Sequence, residues 1–273
     1  MVYQYTITEW ILFFFIYSLI GWIWESCYVS LKKRRWVNRG FIHGPLLPIY
    51  GTGAIVVLLF TIRVRDNAFL IFLLGMIGAT VLEYVTGACM ERLFRMRYWD
   101  YSNQKYNVNG YICLTSSLGW GAFSVLLVMG IHVPVERAVL WLPQMAVDVA
   151  AVLLTVIFTA DFTQSFNEAM DLKEIVVRLA EKDERIRRLQ KRVEVISAVA
   201  EDDFQQYQTR VEEKKEELLK WKEQFEQEMR NLGMHKEKVY RHAFKVLHRN
   251  PGTVSKKYTD ALRQIQEILK KRK

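Results

Sequence analysis

The feature that most limits how this chain can fold is a series of five long apolar stretches in its first 161 residues. A helix needs about 20 apolar residues to cross the ~30 Å hydrocarbon core of a membrane. The second stretch is the shortest and begins in a segment rich in glycine and proline. We therefore predict an all-α polytopic membrane helix bundle of about five spans. These spans are Trp10–Leu31, Leu46–Ile62, Phe69–Cys89, Tyr111–Val133 and Val139–Ala160.

Charged residues divide the chain into parts that prefer different solvents. Residues 162–273 hold 26 of the 38 Lys and Arg residues and 20 of the 29 Asp and Glu residues. Residues 235–273 carry 12 basic and 3 acidic side chains, so this segment accounts for the whole net charge of +9. We predict a transmembrane domain over 1–161, a coiled-coil stalk over 162–234 and a basic helical tail over 235–273.

The orientation of the bundle follows from the Lys and Arg residues of its short loops, because such residues favour the cytoplasmic side. The loops after spans one and three carry nine of them, whereas the opposite side has three, Arg63, Arg65 and Arg137. No basic segment or cleavage site precedes the first apolar stretch, so we expect that stretch to be retained. Five spans then place the amino terminus outside and the carboxy terminus in the cytoplasm, in the bacterial cell membrane.

Two carboxylates lie within the predicted spans at similar depth. Glu25 and Glu83 each precede the cytoplasmic end of their span by six residues, which is ~9 Å at the helical rise. A charge in this position costs about 2.5–3.5 kcal/mol on insertion scales and usually faces the bundle interior. Each glutamate either pairs with a loop arginine for structural reasons or belongs to a binding site.

The two cytoplasmic loops supply the other candidate binding residues. The loop over residues 38–51 contains three glycines and two prolines, which exclude a continuous helix. It is either a re-entrant segment, as in transporter binding sites, or a turn on the membrane surface. The candidate binding residues of the two loops and of the helix starts that follow them are Asn38, Arg39, Tyr50, Asp100 and Asn109.

These residues lie in motifs that resemble a bacterial membrane-protein family, the ABC-transporter type IV or CmpB-like permeases. The resemblance covers about residues 10–160 and implies a membrane protein whose shared polar residues are the candidates above. An aromatic residue is more usual in this family where His43 stands, which argues against a role for imidazole there. The motifs are Gly21-Trp22-x-x-Glu25, Asn38-Arg39-Gly40, Gly44-Pro45, Pro48-Ile49-Tyr50-Gly51, Leu82-Glu83-Tyr84, Trp99-Asp100-Tyr101-Ser102 and Asn109-Gly110-x-Ile112-Cys113.

The water-soluble part has the pattern of one long helix. No glycine or proline occurs between Gln144 and Leu232, so span five can continue into the stalk without a break. Apolar residues follow a heptad from Leu179, with a four-residue stutter at Phe204. The heptads predict homo-oligomerisation or a folded-back hairpin, and of a straight and a folded stalk we favour the straight one. The candidate partners of the basic tail are anionic lipid, nucleic acid or an acidic cytoplasmic protein. A straight stalk would hold the tail too far from the membrane for lipid charge to attract it.

The sequence lacks the motifs of several catalytic classes. There is no G-x-x-x-x-G-K-[ST] motif for ATP, so an ATPase in an ABC system would be a separate subunit. The three cysteines are not clustered, and we expect no metal site and no cofactor. The carboxylates within the spans, the interrupted segment over residues 38–51 and the family resemblance favour a transport or permease component. The alternatives are a membrane-anchored scaffold or signalling protein and an enzyme acting on lipid.

The topology is testable with single cysteines introduced for labelling. We expect an impermeant reagent added outside the cell to modify a cysteine at Val135 and to miss cysteines at Gln104 and Lys236. Labelling after the membrane is permeabilised is the control for accessibility. Reversal at any of the three positions would contradict the five-span arrangement.

Overall fold

The computed structural model describes residues 5–199, 216 and 233–271 of the chain. These residues divide into two compact units. Unit 1 consists of Met1–Ala169 and Lys245–Lys256, and unit 2 consists of Met170–Phe244 and Lys257–Lys273. Unit 1 contains the apolar helices, so it is the membrane unit. The predicted division at residues 161 and 234 stays a prediction.

The membrane unit confirms the all-α bundle. Its helices are α1 (Ile7–Lys33), α2 (Pro48–Thr61), α3 (Ala68–Phe94), α4 (Leu114–Val125), α5 (His132–Trp141) and the first part of α6 (Gln144–Val199). A π-helical turn, Leu126–Ile131, joins α4 to α5. Four segments are long and apolar enough to cross a membrane: Ile7–Lys33, Ala68–Phe94, Leu114–Trp141 and Gln144–Glu181. The second predicted span is the shorter apolar helix Pro48–Val64.

The helix ends follow from local chemistry. Thr6 caps α1 in a capping box with Glu9, which satisfies amide groups that have no partner within the helix.

The predicted start of the fifth span, Val139, is wrong. Residues 139–141 form the end of α5, the helix is interrupted at Leu142 and Pro143, and α6 begins at Gln144. Val135 therefore lies inside α5 rather than in a loop, and the exposed Trp141 is the better site for labelling from outside.

The segment between α1 and α2 enters the bundle. The amide of Leu47 donates to the carbonyl of Ser18 at 2.9 Å. Ser18 lies 15 residues before the end of α1, which corresponds to ~22 Å along the helix axis. The chain from Arg34 to Leu47 thus returns along α1 to about the middle of that helix before α2 begins, which favours the re-entrant alternative over a turn on the membrane surface.

Glycines make the contact between α1 and α2 possible. A Cβ on Gly51 would lie 2.2 Å from the Ser18 hydroxyl and 2.5 Å from the Phe14 carbonyl oxygen. A Cβ on Gly21 would lie 2.3 Å from the ring of Tyr50. Small residues permit such close helix packing in membranes, where van der Waals contact drives association.

A buried polar network lies at the opposite end of the bundle. The Nδ1 atom of His132, in the first turn of α5, lies 2.6 Å from the hydroxyl of Tyr17 in α1. The hydroxyl of Tyr5 lies 3.2 Å from the Nε2 atom of the same ring and also donates to Glu136. Arg65 binds Glu136 at 3.0 Å. This network connects α1, α5 and the turn after α2.

Unit 2 contradicts the straight stalk. It contains the continuation of α6, most of α7 (Gly233–Arg249) and α8 (Thr259–Lys271). The Nδ1 atom of His242 lies 2.6 Å from an oxygen of Asp171, 71 positions earlier in the chain. The helical segments that carry Asp171 and His242 therefore lie side by side within unit 2, and burial of apolar side chains favours this packing. These side chains are Leu172, Val176, Ala243, Ala261, Leu262 and Ile265.

The long helix predicted from the absence of glycine and proline is confirmed as far as Val199, where the described part of α6 ends. The stutter at Phe204 and the heptad residues after it lie outside the described residues. Homo-oligomerisation through a coiled coil stays a prediction.

The contact at Gly51 is testable by adding one methyl group. We expect Gly51→Ala to lower the free energy of unfolding by about 1–3 kcal/mol, since the new methyl overlaps with backbone and side chain of α1. Gly119→Ala is the matched control, because a Cβ there meets nothing within 4 Å. The thermal midpoint of the purified protein in detergent measures both. Equal midpoints for the two variants would contradict this packing.

Candidate functional site

A cavity of about 700 Å³ lies in the membrane unit, near the carboxyl ends of α1 and α3. Its wall is formed by α1, the start of α2, α3, α4 and α6, together with the loops that follow α1 and α3. Ligand pockets in proteins have volumes of ~300–1,000 Å³ and are mostly apolar with a few polar groups. Exposed side chains such as Trp24 and Leu93 belong to the lining, so the cavity reaches the surface of the bundle.

Glu83 of α3 is the most buried acidic residue of the lining, with 6 % of its surface exposed. It accepts hydrogen bonds from the Tyr101 hydroxyl at 3.1 Å, from the Trp120 indole at 3.1 Å and from the Ser116 hydroxyl at 3.3 Å. These donors are neutral. Within the part of the chain that the structure describes, no basic side chain lies within 4 Å of its carboxylate.

Glu25 of α1 has a different environment. It accepts a hydrogen bond of 2.9 Å from the hydroxyl of Tyr50, and the Nε atom of Arg39 lies 3.7 Å away. The guanidinium also donates to the side-chain oxygen of Asn250 at 3.0 Å. Glu25 thus pairs with a loop arginine, which was one of the two alternatives for each glutamate, whereas Glu83 does not.

The loop after α3 places Tyr101 against Glu83. Arg97 organises this loop by binding Glu91, the side chain of Asp100 and the carbonyl of Asn109. Burial would raise the pKa of Asp100, but hydrogen bonds from Ser102 and the charge of Arg97 outweigh it and hold that pKa below its usual value.

Burial also raises the pKa of Tyr101, and the charge of Glu83 adds to this effect. The phenol therefore keeps its proton and remains a hydrogen-bond donor.

Asn38 shapes the re-entrant segment and does not line the cavity. Its side chain accepts from the Trp22 indole at 2.6 Å and donates to the His43 carbonyl at 2.7 Å. Asp161 of α6 accepts from the amides of His43 and Gly44, at 3.0 and 2.7 Å. Buried backbone groups need such partners, so these contacts allow the non-helical segment to lie inside the bundle.

The middle of the tail, Lys245–Lys256, is part of the membrane unit. Asn250, 3 % exposed, donates to the carbonyl of Gly40 at 3.0 Å and lines the cavity. Val254 pairs with Arg97 through two backbone hydrogen bonds of 2.7 and 3.0 Å. Arg249 lies 3.3 Å from the buried Glu168 of α6. The segment Lys245–Lys256, here named the strap, thus connects both loops to α6.

The structure brings together four of the seven residues that the sequence analysis proposed for binding. Glu25, Arg39, Tyr50 and Glu83 line one cavity. Asp100 does not belong to the lining and binds Arg97 and Ser102 within its loop. Asn38 binds the Trp22 indole of α1 and the His43 carbonyl, and Asn109 binds the Tyr84 hydroxyl of α3; neither belongs to the lining. A binding role for any of the seven stays a prediction.

Sequence reasoning missed several residues around the carboxylates. Tyr101, Ser116, Trp120 and Asn250 belong to the lining, but their side chains are ordinary at a membrane interface or in a tail. The motif Trp99–Ser102 contains Tyr101, so the signal was present there. No local sequence signal marked Asn250, since its partner, the carbonyl of Gly40, lies 210 positions earlier in the chain.

Removal of the strap's central contact should destabilise the membrane unit. We expect Asn250→Ala to leave the buried carbonyl of Gly40 without its donor and to lower the free energy of unfolding by about 1–3 kcal/mol. Gly252→Ala is the control, since a Cβ there meets nothing within 4 Å. The measurement is the thermal midpoint of the full chain in detergent. An unchanged midpoint for Asn250→Ala would show that the strap is not bound there.

The comparisons with known proteins give a family and no closer relative. No curated protein and no solved structure matches the chain. The sequence profile of the family described as "Putative ABC-transporter type IV" matches residues 12–166, which is more than half of the chain and contains most of α1, all of α2 to α5 and the first part of α6. The chain is thus a multi-pass membrane protein that belongs to this family.

Proposed function

We propose that this protein is the membrane component of a transport system and that the cavity around Glu83 binds the transported molecule. The observation that carries this proposal is a buried carboxylate without a basic partner within 4 Å, among the described residues, in the wall of a 700 Å³ cavity. Ionisable residues inside a membrane bundle are costly, and they mark substrate or ion pathways.

The re-entrant segment supports the same function. Transporters build their sites from interrupted helices, because non-helical backbone inside a membrane must line a cavity or be covered by protein. Here Arg39, Gly40 and Leu47 of the interruption between α1 and α2 line the cavity. The family's description as an ABC transporter supports a separate ATPase subunit as a partner and the cytoplasmic membrane as the location.

The positive charge of the loops supports an amino terminus outside the cell, with the cavity near the cytoplasmic side. A scaffold or signalling role, the second hypothesis of the sequence analysis, relied on a tail held far from the membrane. The strap binds the loops of the membrane unit instead, which removes the main support for recruitment at a distance.

The proposal is testable by purifying the full chain from its native membrane in lipid nanodiscs. Native mass spectrometry should detect a small molecule bound to the wild-type protein and much less of it bound to Glu83→Gln, which keeps the shape of the side chain but not its charge. An ATP-binding subunit should copurify with both proteins.

Asp148→Asn is the control, since it neutralises a half-buried carboxylate that accepts hydrogen bonds from Thr8 and Gln144, outside the cavity. Equal occupancy in wild type and Glu83→Gln would contradict the cavity as the binding site. Absence of any ATP-binding subunit, with the small molecule retained, would contradict transport driven by an ABC system.

A further inference from the structure

The formal charges around the cavity do not cancel. Three charged side chains line it, Glu25, Glu83 and Arg39. Arg39 approaches Glu25 to 3.7 Å, so its single positive charge faces one of the two carboxylates. With both glutamates ionised, the lining has a net charge of −1. An occupant with one positive charge would make the site neutral.

The groups that donate hydrogen bonds to Glu83 are all uncharged, which also favours a cation as the ligand. Tyr101, Trp120 and Ser116 orient the carboxylate by three hydrogen bonds, yet none of them carries the compensating charge. A buried charge without a partner of opposite sign is unfavourable by several kcal/mol, even when hydrogen bonds satisfy its oxygens. A positively charged occupant of the cavity would supply the missing partner.

Aromatic rings connect the two carboxylates. Tyr50 donates to Glu25 and Trp120 donates to Glu83, and their ring centroids lie 5.9 Å apart. Phe123 packs against both rings, at 6.3 and 6.0 Å. All three rings line the cavity, and cation–π attraction is the usual means by which proteins recognise quaternary ammonium groups.

The rest of the lining is mostly apolar and suits an uncharged body. Eleven of the 26 lining residues are aromatic, and leucine, isoleucine and methionine add to them. The aromatic residues are Trp24, Phe41, Tyr50, Phe94, Tyr98, Trp99, Tyr101, Trp120, Phe123, Phe162 and Phe166. A hydrated inorganic ion would leave this surface without contacts. An apolar group attached to the cation would cover it.

Other ligand classes fit less well. An anionic headgroup would place a second negative charge beside Glu83. A bound metal ion needs several oxygen, nitrogen or sulfur ligands, and no group of three His, Cys, Asp or Glu side chains suited to a metal occurs among the described residues. The lone Arg39 is already bound to Asn250.

From the charge, the rings and the volume together we infer that the cavity binds an organic cation, an amine or quaternary ammonium compound with an apolar body. This inference rests on the proposed function of the cavity as a ligand site and names its ligand class. The ammonium group lies between Glu83, Glu25 and the rings of Tyr50 and Trp120, and the apolar body extends along α3.

Three probes of one shape separate the effect of charge from that of size. They are benzyltrimethylammonium, its neutral isostere neopentylbenzene and the anion phenylmethanesulfonate. The full chain in nanodiscs is titrated with each, and tryptophan fluorescence reports binding because Trp24, Trp99 and Trp120 line the cavity. Nanodiscs without protein correct for partition into lipid. The cation should bind at least about tenfold more tightly than either other probe.

Two variants locate the origin of that preference. Glu83→Gln should weaken binding of the cation by about tenfold or more and leave binding of the neutral isostere unchanged, since only the charge of the site is altered. Phe123→Leu should weaken binding of the cation by about threefold and change binding of the neutral probe little, because it removes a ring but keeps an apolar side chain. Asp148→Asn, outside the cavity, should change neither.

The outcomes distinguish the two proposals. Tight binding of the neutral probe, with no preference for the cation and no effect of Glu83→Gln on the cation, would overturn the organic-cation assignment while the cavity remains a ligand site. Preference for the anion would overturn it as well. Absence of binding by all three probes would contradict the cavity as a ligand site and thus both proposals.

Discussion

The structure of the membrane unit depends on one constraint, which is that non-helical backbone inside a bundle must find hydrogen-bond partners from protein. The chain between α1 and α2 meets this constraint with side chains from distant positions. Asp161 accepts from two of its amides, Asn250 donates to one of its carbonyls, and the Ser18 carbonyl accepts from Leu47. Because these partners hold the segment at mid-depth, a cavity can form beside it.

The same contacts explain why the tail belongs to the membrane unit. Asn250 contacts both Gly40 and Arg39, and Arg39 in turn faces Glu25 in the cavity wall. The strap therefore holds the loop that carries the only basic side chain among the lining residues. A movement of the strap would alter the position of Arg39, and with it the charge balance around Glu25.

Local patterns in the sequence predicted the helices and the two carboxylates. Apolar stretches of about 20 residues identify spans because backbone in lipid must satisfy its hydrogen bonds within the helix. The two glutamates were expected six residues before the ends of their spans, whereas Glu25 lies 8 residues before the end of α1 and Glu83 lies 11 before the end of α3. Long-range contacts were beyond such reasoning. The contact between His242 and Asp171 joins two ordinary polar side chains 71 positions apart. Hydropathy placed the start of the last span at Val139, but α6 begins at Gln144, directly after Pro143.

The central claim is that an organic cation occupies the cavity between Glu83 and the aromatic rings. Electron cryomicroscopy of the full chain in nanodiscs, with benzyltrimethylammonium present, tests it most directly. The account predicts density for the ligand with its ammonium group within ~6 Å of the ring centroids of Tyr50 and Trp120, on the side of the Glu83 carboxylate. An empty cavity, or one filled by a lipid acyl chain under these conditions, would contradict it.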